Sequence, residues 1–117
     1  MKTPRIEKCS FGIIVIDGKT YSDDLIILPD GRILKPWWRQ RGHQLSIDDL
    51  HDLIDSSPKV IVAGTGVSGN MKPENTLVKD LSRLAIELIA EPNDKAIEVY
   101  NKMGPEKRVG ACFHLTC

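Results

Sequence analysis

Gly64-Thr65-Gly66-Val67-Ser68-Gly69 is the sharpest chemical signal in the chain. It has the spacing of G-x-G-x-x-G, it follows a β-branched run from Lys59 to Ala63, and Glu91 stands at the end of the next expected strand. In a dinucleotide-binding unit the glycines admit a pyrophosphate to the backbone, a helix N-terminus faces it, and the carboxylate holds the ribose. Pro73 argues against that use. In a helix begun at Val67 its ring would meet the carbonyl of Gly69, and one donor would be lost. The helix is therefore expected to open at Pro73, leaving residues 64–72 as a loop, and no cofactor is expected. A lesser role stays open: amides around Gly64, Thr65 and Gly66, with charge from Lys72, would form an anion-binding nest at the strand end. The plain alternative is a set of glycines that lets the chain turn beside another backbone.

Basic and aromatic residues gather next. Arg32, Lys35, Arg39 and Arg41 interleave with Trp37 and Trp38, with no acid among them. The plain reading packs one Trp in the core and leaves the arginines solvated. A protein-binding patch at Trp37, Trp38, Arg39 and Arg41 comes second, because Trp and Arg concentrate binding energy at interfaces. A stacking platform for single-stranded nucleic acid is a distant third. Sixteen basic residues balance sixteen acidic ones, and a neutral chain lacks the charge that phosphate contacts need.

Other catalytic or metal-binding patterns are weak. His43, His51 and His114 have no metal-ligand spacing. His51 is expected on the exposed face of a helix, and His114 as a hydrogen-bonded wall residue of the last strand. Asp23-Asp24 reads as a solvated break between strands. Cys9, Cys112 and Cys117 are odd in number and lack C-x-x-C spacing, so neither a disulfide framework nor a zinc site is indicated. Whether any of the three is reactive stays open. No nucleophile, base and orienter assemble, so no catalytic residue is assigned and the reading leans away from an enzyme.

The elements that must position these residues change character near residue 45. The first third reads as an antiparallel meander. Phe11 to Ile16 is a strand, Asp17-Gly18 a two-residue turn, and a return strand runs from Tyr21 to Leu28, interrupted at Ser22-Asp23-Asp24. Pro29-Asp30-Gly31 turns again into a third strand that stops near Pro36. Ser46 then caps a helix carrying Ile47, Leu50 and Ile54 on one face. Lys59 to Ala63 is a strand, and Pro73 opens a second helix with Leu77, Val78, Leu81 and Leu84 in its stripe. Residues 85–90 are ambiguous by period, although a strand there explains the spacing better. Asn93 or Asp94 caps a third helix that ends at Gly104-Pro105. The last strand alternates, with Val109, Ala111, Phe113 and Leu115 on one face.

The expected fold is α/β: one domain over residues 1–117, a meander followed by β-α-β-α-β. With 117 residues, 41% hydrophobic and 27% charged, the chain has ordinary globular composition. No apolar run approaches the roughly 18 residues that span a bilayer. The polar start, MKTPRIEKCSFG, does not read as a signal peptide, so the expected location is the cytoplasm, with free thiols.

In order and spacing, Phe11-Gly12, Asp17-Gly18 with Tyr21 and Asp23, Pro29-Asp30-Gly31, Trp38, Gly64-Thr65-Gly66 and Tyr100-Asn101 resemble the Mth-type domain family. Its members include archaeal and bacterial hypothetical proteins, the adipogenesis-associated Mth-domain protein and a mitochondrial complex I assembly factor. The resemblance implies a three-layer α/β domain with a mixed sheet and an additional β-layer, and it implies a strand at residues 85–90. It supplies no catalytic residues, and it marks Asp23, Trp38, Gly64 and Gly66 as family-like positions without roles. The chain departs from the family at Pro92-Asn93, where Thr is frequent. The function expected is a non-enzymatic interaction or assembly-type module with a protein partner, with self-association left open. The alternative is a small-molecule or anion binder, or an enzyme, using the Gly64-Thr65-Gly66 loop.

Overall fold

The computed structural model describes residues 3–40 and 43–116, so Arg41 and Cys117 lie outside the described residues. Strand β1 (Ile6–Ser10) turns at Phe11-Gly12 into β2 (Ile13–Ile16), and Asp17-Gly18 turns β2 into β3 (Lys19–Tyr21). Asp17 and Gly18 have φ of 50° and 80°, the pair of positive values that a two-residue hairpin loop needs to match the twist of its strands. The three strands form an antiparallel sheet of order β1-β2-β3. The sequence concealed β1, because Glu7, Lys8 and Ser10 are exposed and Ile6 is its one fully buried side chain.

A second sheet carries the domain. Strands β4 (Leu25–Ile27) and β5 (Ile33–Leu34) flank the turn at Pro29-Asp30-Gly31, where Gly31 holds φ of 94°. Strand β6 (Gln44–Leu45) precedes a 3-10 turn (Asp48–Leu50) that runs into α1 (His51–Asp55). Then follow β7 (Val60–Gly64), β8 (Lys72–Pro73), α2 (Leu77–Ser82), β9 (Glu87–Glu91), α3 (Asn93–Met103) and β10 (Val109–Phe113). The mixed sheet has the order β5-β4-β10-β7-β9. Strand β10 pairs parallel with β7 and antiparallel with β4, while β7 and β9 run parallel.

Two apolar layers form on the two faces of this sheet, because successive strand residues point to opposite sides. Val60, Val62, Ala111, Phe113, Leu25 and Ile27 pack beneath Ile14 and Ile16 of the small sheet and Ala96 and Tyr100 of α3. Ile61, Ala63, Cys112 and Ile26 face the other way, against Trp37, Leu50, Leu53, Met71, Leu77 and Leu81. The alternation of β10 read from sequence is the alternation between these layers. Among the described residues, no helix is long and apolar enough to cross a membrane.

Three local expectations are corrected. Pro73 does not open a helix. Lys72-Pro73 pairs parallel with Gln44-Leu45, with Lys72 N–H on His43 O at 2.9 Å and Glu74 N–H on Leu45 O at 2.9 Å. A proline fits there because the ladder is only two residues long and Pro73 needs no donor in it; α2 starts at Leu77. Ser46 does not cap with its own oxygen. Instead Asp49 reaches back, its Oδ2 accepting from Ser46 N–H and Oγ–H at 3.0 Å each, the reciprocal half of a capping box. Neither Asn93 nor Asp94 caps α3: Pro92 holds the cap position, and Asn93 turns inward.

Candidate functional site

Asp24 ends the break between β3 and β4; Asp23 is exposed, as a solvated break requires, but Asp24 is half-buried. The Trp37 amide donates to the Asp24 carbonyl at 2.8 Å, which fixes the segment 36–39 against the start of β4. The Asp24 carboxylate then collects three partners. Oδ1 accepts the Leu115 amide at 2.8 Å, Oδ2 lies 2.8 Å from His114 Nδ1, and Arg39 Nη1 stands 3.0 Å from Oδ2. The Arg39 side chain is 6% exposed. Its guanidinium lies over the Trp37 ring, 4.7 Å from the centroid, so the cation has an aromatic face on one side and a carboxylate on another.

The proton on the imidazole is contested in this cluster. His114 Nδ1 faces Asp24 Oδ2 and, at 2.9 Å, Arg39 Nη2. As N–H it donates to the carboxylate; as a lone pair it accepts from the guanidinium; it cannot do both at once. Nε2 is 3.4 Å from Thr116 Oγ1, and the His43 ring meets the imidazole edge-on at 5.6 Å between centroids. Burial pushes the Asp24 carboxyl upward, but the hydrogen bonds from His114, the Leu115 amide and Arg39 outweigh it and hold the group below the ordinary carboxylate value.

A cleft of about 380 Å³ opens beside the cluster, between residues 22–24 and 36–39. Asp23 and Trp38 line it; Thr65 does not. Trp38 is 81% exposed, whereas Trp37 is 5% exposed and donates Nε1–H to the Asp49 carbonyl at 2.9 Å. Of the four residues read as one patch, the three that are described border this cleft in different states. Trp37 is core, Arg39 is locked in an ion pair, Trp38 faces solvent, and Arg41 lies outside the described residues.

The Gly64–Gly66 turn is elsewhere, at the carboxyl ends of the parallel strands. Its amides are already engaged: Thr65 N–H donates to Glu91 O, Gly66 N–H to Asn93 Oδ1, Val67 N–H to Thr116 O and Gly69 N–H to Gly66 O. Asn93, 1% exposed, occupies the position a nest would offer to an anion, and its Nδ2 donates to His114 O at 2.8 Å and to Cys9 Sγ at 3.5 Å. Gly64 is glycine by packing, since a Cβ there would collide with the Phe113 ring and Asn93 Oδ1. Lys72 is exposed and borders a separate open groove with His43, Gln44 and Glu74.

Sequence reasoning missed Asn93 and Asp49 as buried polar residues and Asp24 as a half-buried one. Asp24 directly precedes the fully buried run Leu25–Ile27, the one local sign that its side chain is drawn inward. Among the described residues, no three His, Cys, Asp or Glu side chains gather to hold a metal. A carboxylate that orients an imidazole is part of an acyl-transfer relay, but the amides of Thr65, Gly66 and Val67 are spent within the protein and supply no oxyanion donors.

The whole chain is similar to the whole of a conserved hypothetical protein, PH1505, from Pyrococcus horikoshii OT3, at 28% identity and a TM-score of 0.80. Over 98% of its length it is similar to all of the protein described as MT938, at 25% identity and a TM-score of 0.82. A Mth938-like domain from Bordetella pertussis shares the fold at 16% identity and a TM-score of 0.63, over 96% of this chain and 85% of that one. Residues 6–114 match the family described as Protein of unknown function (DUF498/DUF598), and across so much of the chain that match makes this protein a member of that family of Mth-type domains.

Proposed function

We propose that the protein is a non-enzymatic interaction module that engages a protein partner, with Trp38 at the centre of the contact. The observation that carries this reading is the contrast between Trp38 and its neighbours. An indole 81% exposed projects from a segment whose flanking residues are both fixed, Trp37 by its bond to Asp49 and Arg39 by Asp24 and His114. A large aromatic presented on a rigid base loses little freedom on binding, which favours its use as an anchor. The cytoplasm is the compartment proposed, in line with Cys9 and Cys112 standing as free thiols.

The test compares wild-type protein and Trp38→Ala as bait in cross-linked lysate, with circular dichroism to verify the fold. Specific loss of captured proteins with the variant supports the reading, and size-exclusion of the purified chain separates self-association from a foreign partner. An unchanged partner set from a folded variant would remove Trp38 from the interface.

A further inference from the structure

We propose that the cleft beside Trp38 receives an arginine side chain of the partner; this rests on the interaction reading above and gives the contact its chemistry. The argument comes from a duplication visible within the molecule. Asp24, Trp37 and Arg39 form a filled set: a guanidinium 4.7 Å over an indole, with a carboxylate oxygen 3.0 Å from Nη1. Asp23 and Trp38, one residue away on the same two segments, face the cleft. They repeat the carboxylate and the aromatic face, but among the described residues no ion pair reaches Asp23 and no cation lies over Trp38.

The charge of the lining points the same way. Two carboxylates, Asp23 and Asp24, stand against one guanidinium, Arg39, and Arg39 is committed to Asp24. The surplus is negative, at Asp23, beside the exposed Trp38. A planar cation answers both features at once, stacking on the indole and pairing with the carboxylate. An acidic side chain would meet Asp23 unfavourably, and an aliphatic one would leave that carboxylate unpaired while desolvating it.

The experiment titrates 15N-labelled protein with four amidated pentapeptides, Gly-Gly-X-Gly-Gly, in which X is Arg, Lys, Leu or Glu. The result expected is a saturable shift of the Trp38 indole and Asp23 amide signals with the Arg peptide and a weaker one with Lys. Asp23→Asn should weaken the Arg peptide about three- to fivefold, the range of an exposed ion pair, and added salt should act in the same direction. Equal shifts with Leu or Glu, or none at these signals with Arg, would overturn the assignment. Partner capture by Trp38→Ala keeps the two readings apart. Capture lost alongside silent peptides leaves the interaction module standing without a basic occupant, whereas capture retained removes Trp38 from the interface and the arginine site with it.

Discussion

His114 Nδ1 and Asp24 Oδ2 meet at 2.8 Å, joining the residue just beyond the last strand to the residue just ahead of β4 across a sequence separation of 90. The backbone repeats the link, since Leu115 N–H donates to the other oxygen of the same carboxylate. One aspartate therefore ties down the C-terminal end of the central strand and compensates the charge of Arg39. Replacing Asp24 with Ala should destabilise the fold by about 2–3 kcal/mol. Breaking a fully buried pair costs about 3–5 kcal/mol, and partial exposure of the carboxylate places this case at or below the lower end. Urea unfolding measures it, and the double replacement Asp24→Ala with Arg39→Met should cost less than the sum of the singles.

The same carboxylate sets a pH dependence whose sign is fixed by its depressed pKa. A group held below its unfolded value of about 3.9 contributes stability at neutral pH and loses it as pH falls through the folded value. The urea midpoint of the wild type should accordingly hold above about pH 5 and fall steadily below pH 4. Asp24→Asn should start lower and flatten in that interval. Parallel curves for the two proteins would assign acid unfolding to other carboxylates.

Asn93 is predicted to tolerate neither Ala nor Asp. Alanine strands the Gly66 N–H and the His114 carbonyl, two buried groups that Asn93 now satisfies. At about 1–3 kcal/mol for each unsatisfied group, the loss should be near 2–4 kcal/mol. Aspartate still accepts from Gly66 but has no donor for His114 O, and it buries a charge beside a carbonyl. Both variants should unfold at clearly lower urea than wild type, and an Asp variant as stable as the parent would disprove the bidentate role. Gly64→Ala acts on the same place from the other side, through overpacking against Phe113 that costs about 1–3 kcal/mol.

Thiol chemistry follows burial. Cys112 is fully buried between β4 and β7, and burial pushes its thiol far above the usual range. Cys9 is half-buried and also raised, by burial first, with the Asn93 amide pulling the other way. Thiolate is the reactive form. In native buffer at pH 8, peptide mapping after iodoacetamide should find Cys112 unmodified and Cys9 slow, with Cys112 alkylated only in denaturant. Rapid native labelling of Cys112 would mean that the central sheet opens.

The larger elements were legible because their signals are local. Asp17-Gly18 announces its turn by its own φ requirements, and β10 announces its two faces by alternation. Elements fixed by distant partners were not. Lys72-Pro73 became a strand because Gln44-Leu45 lies alongside, and a proline gives no hint of that pairing. Ala85, with φ of 61°, closes α2 where glycine would be usual, so strand β9 begins two residues later than its apolar run. The Asp24–His114–Arg39 cluster draws on three separate segments, and nothing in their sequence spacing brings them together.

Trp37 and Trp38 give the strongest internal contrast, because adjacent identical residues have opposite surroundings. Trp37 packs among Ile26, Leu50 and Leu53 and satisfies its indole N–H at Asp49. Truncation to Ala should cost about 3–5 kcal/mol, the range for a large buried aromatic, and should also free Arg39 of its stacking surface. Trp38 is mostly in water, so its truncation should change the unfolding free energy by no more than about 0.5 kcal/mol. Tryptophan fluorescence adds a spectral check: Trp38→Ala removes the solvent-exposed emitter and should leave a blue-shifted spectrum, whereas Trp37→Phe should leave a red-shifted one. A Trp38→Ala loss of several kcal/mol would show the indole to be structural, and its exposed position would then no longer argue for a binding role.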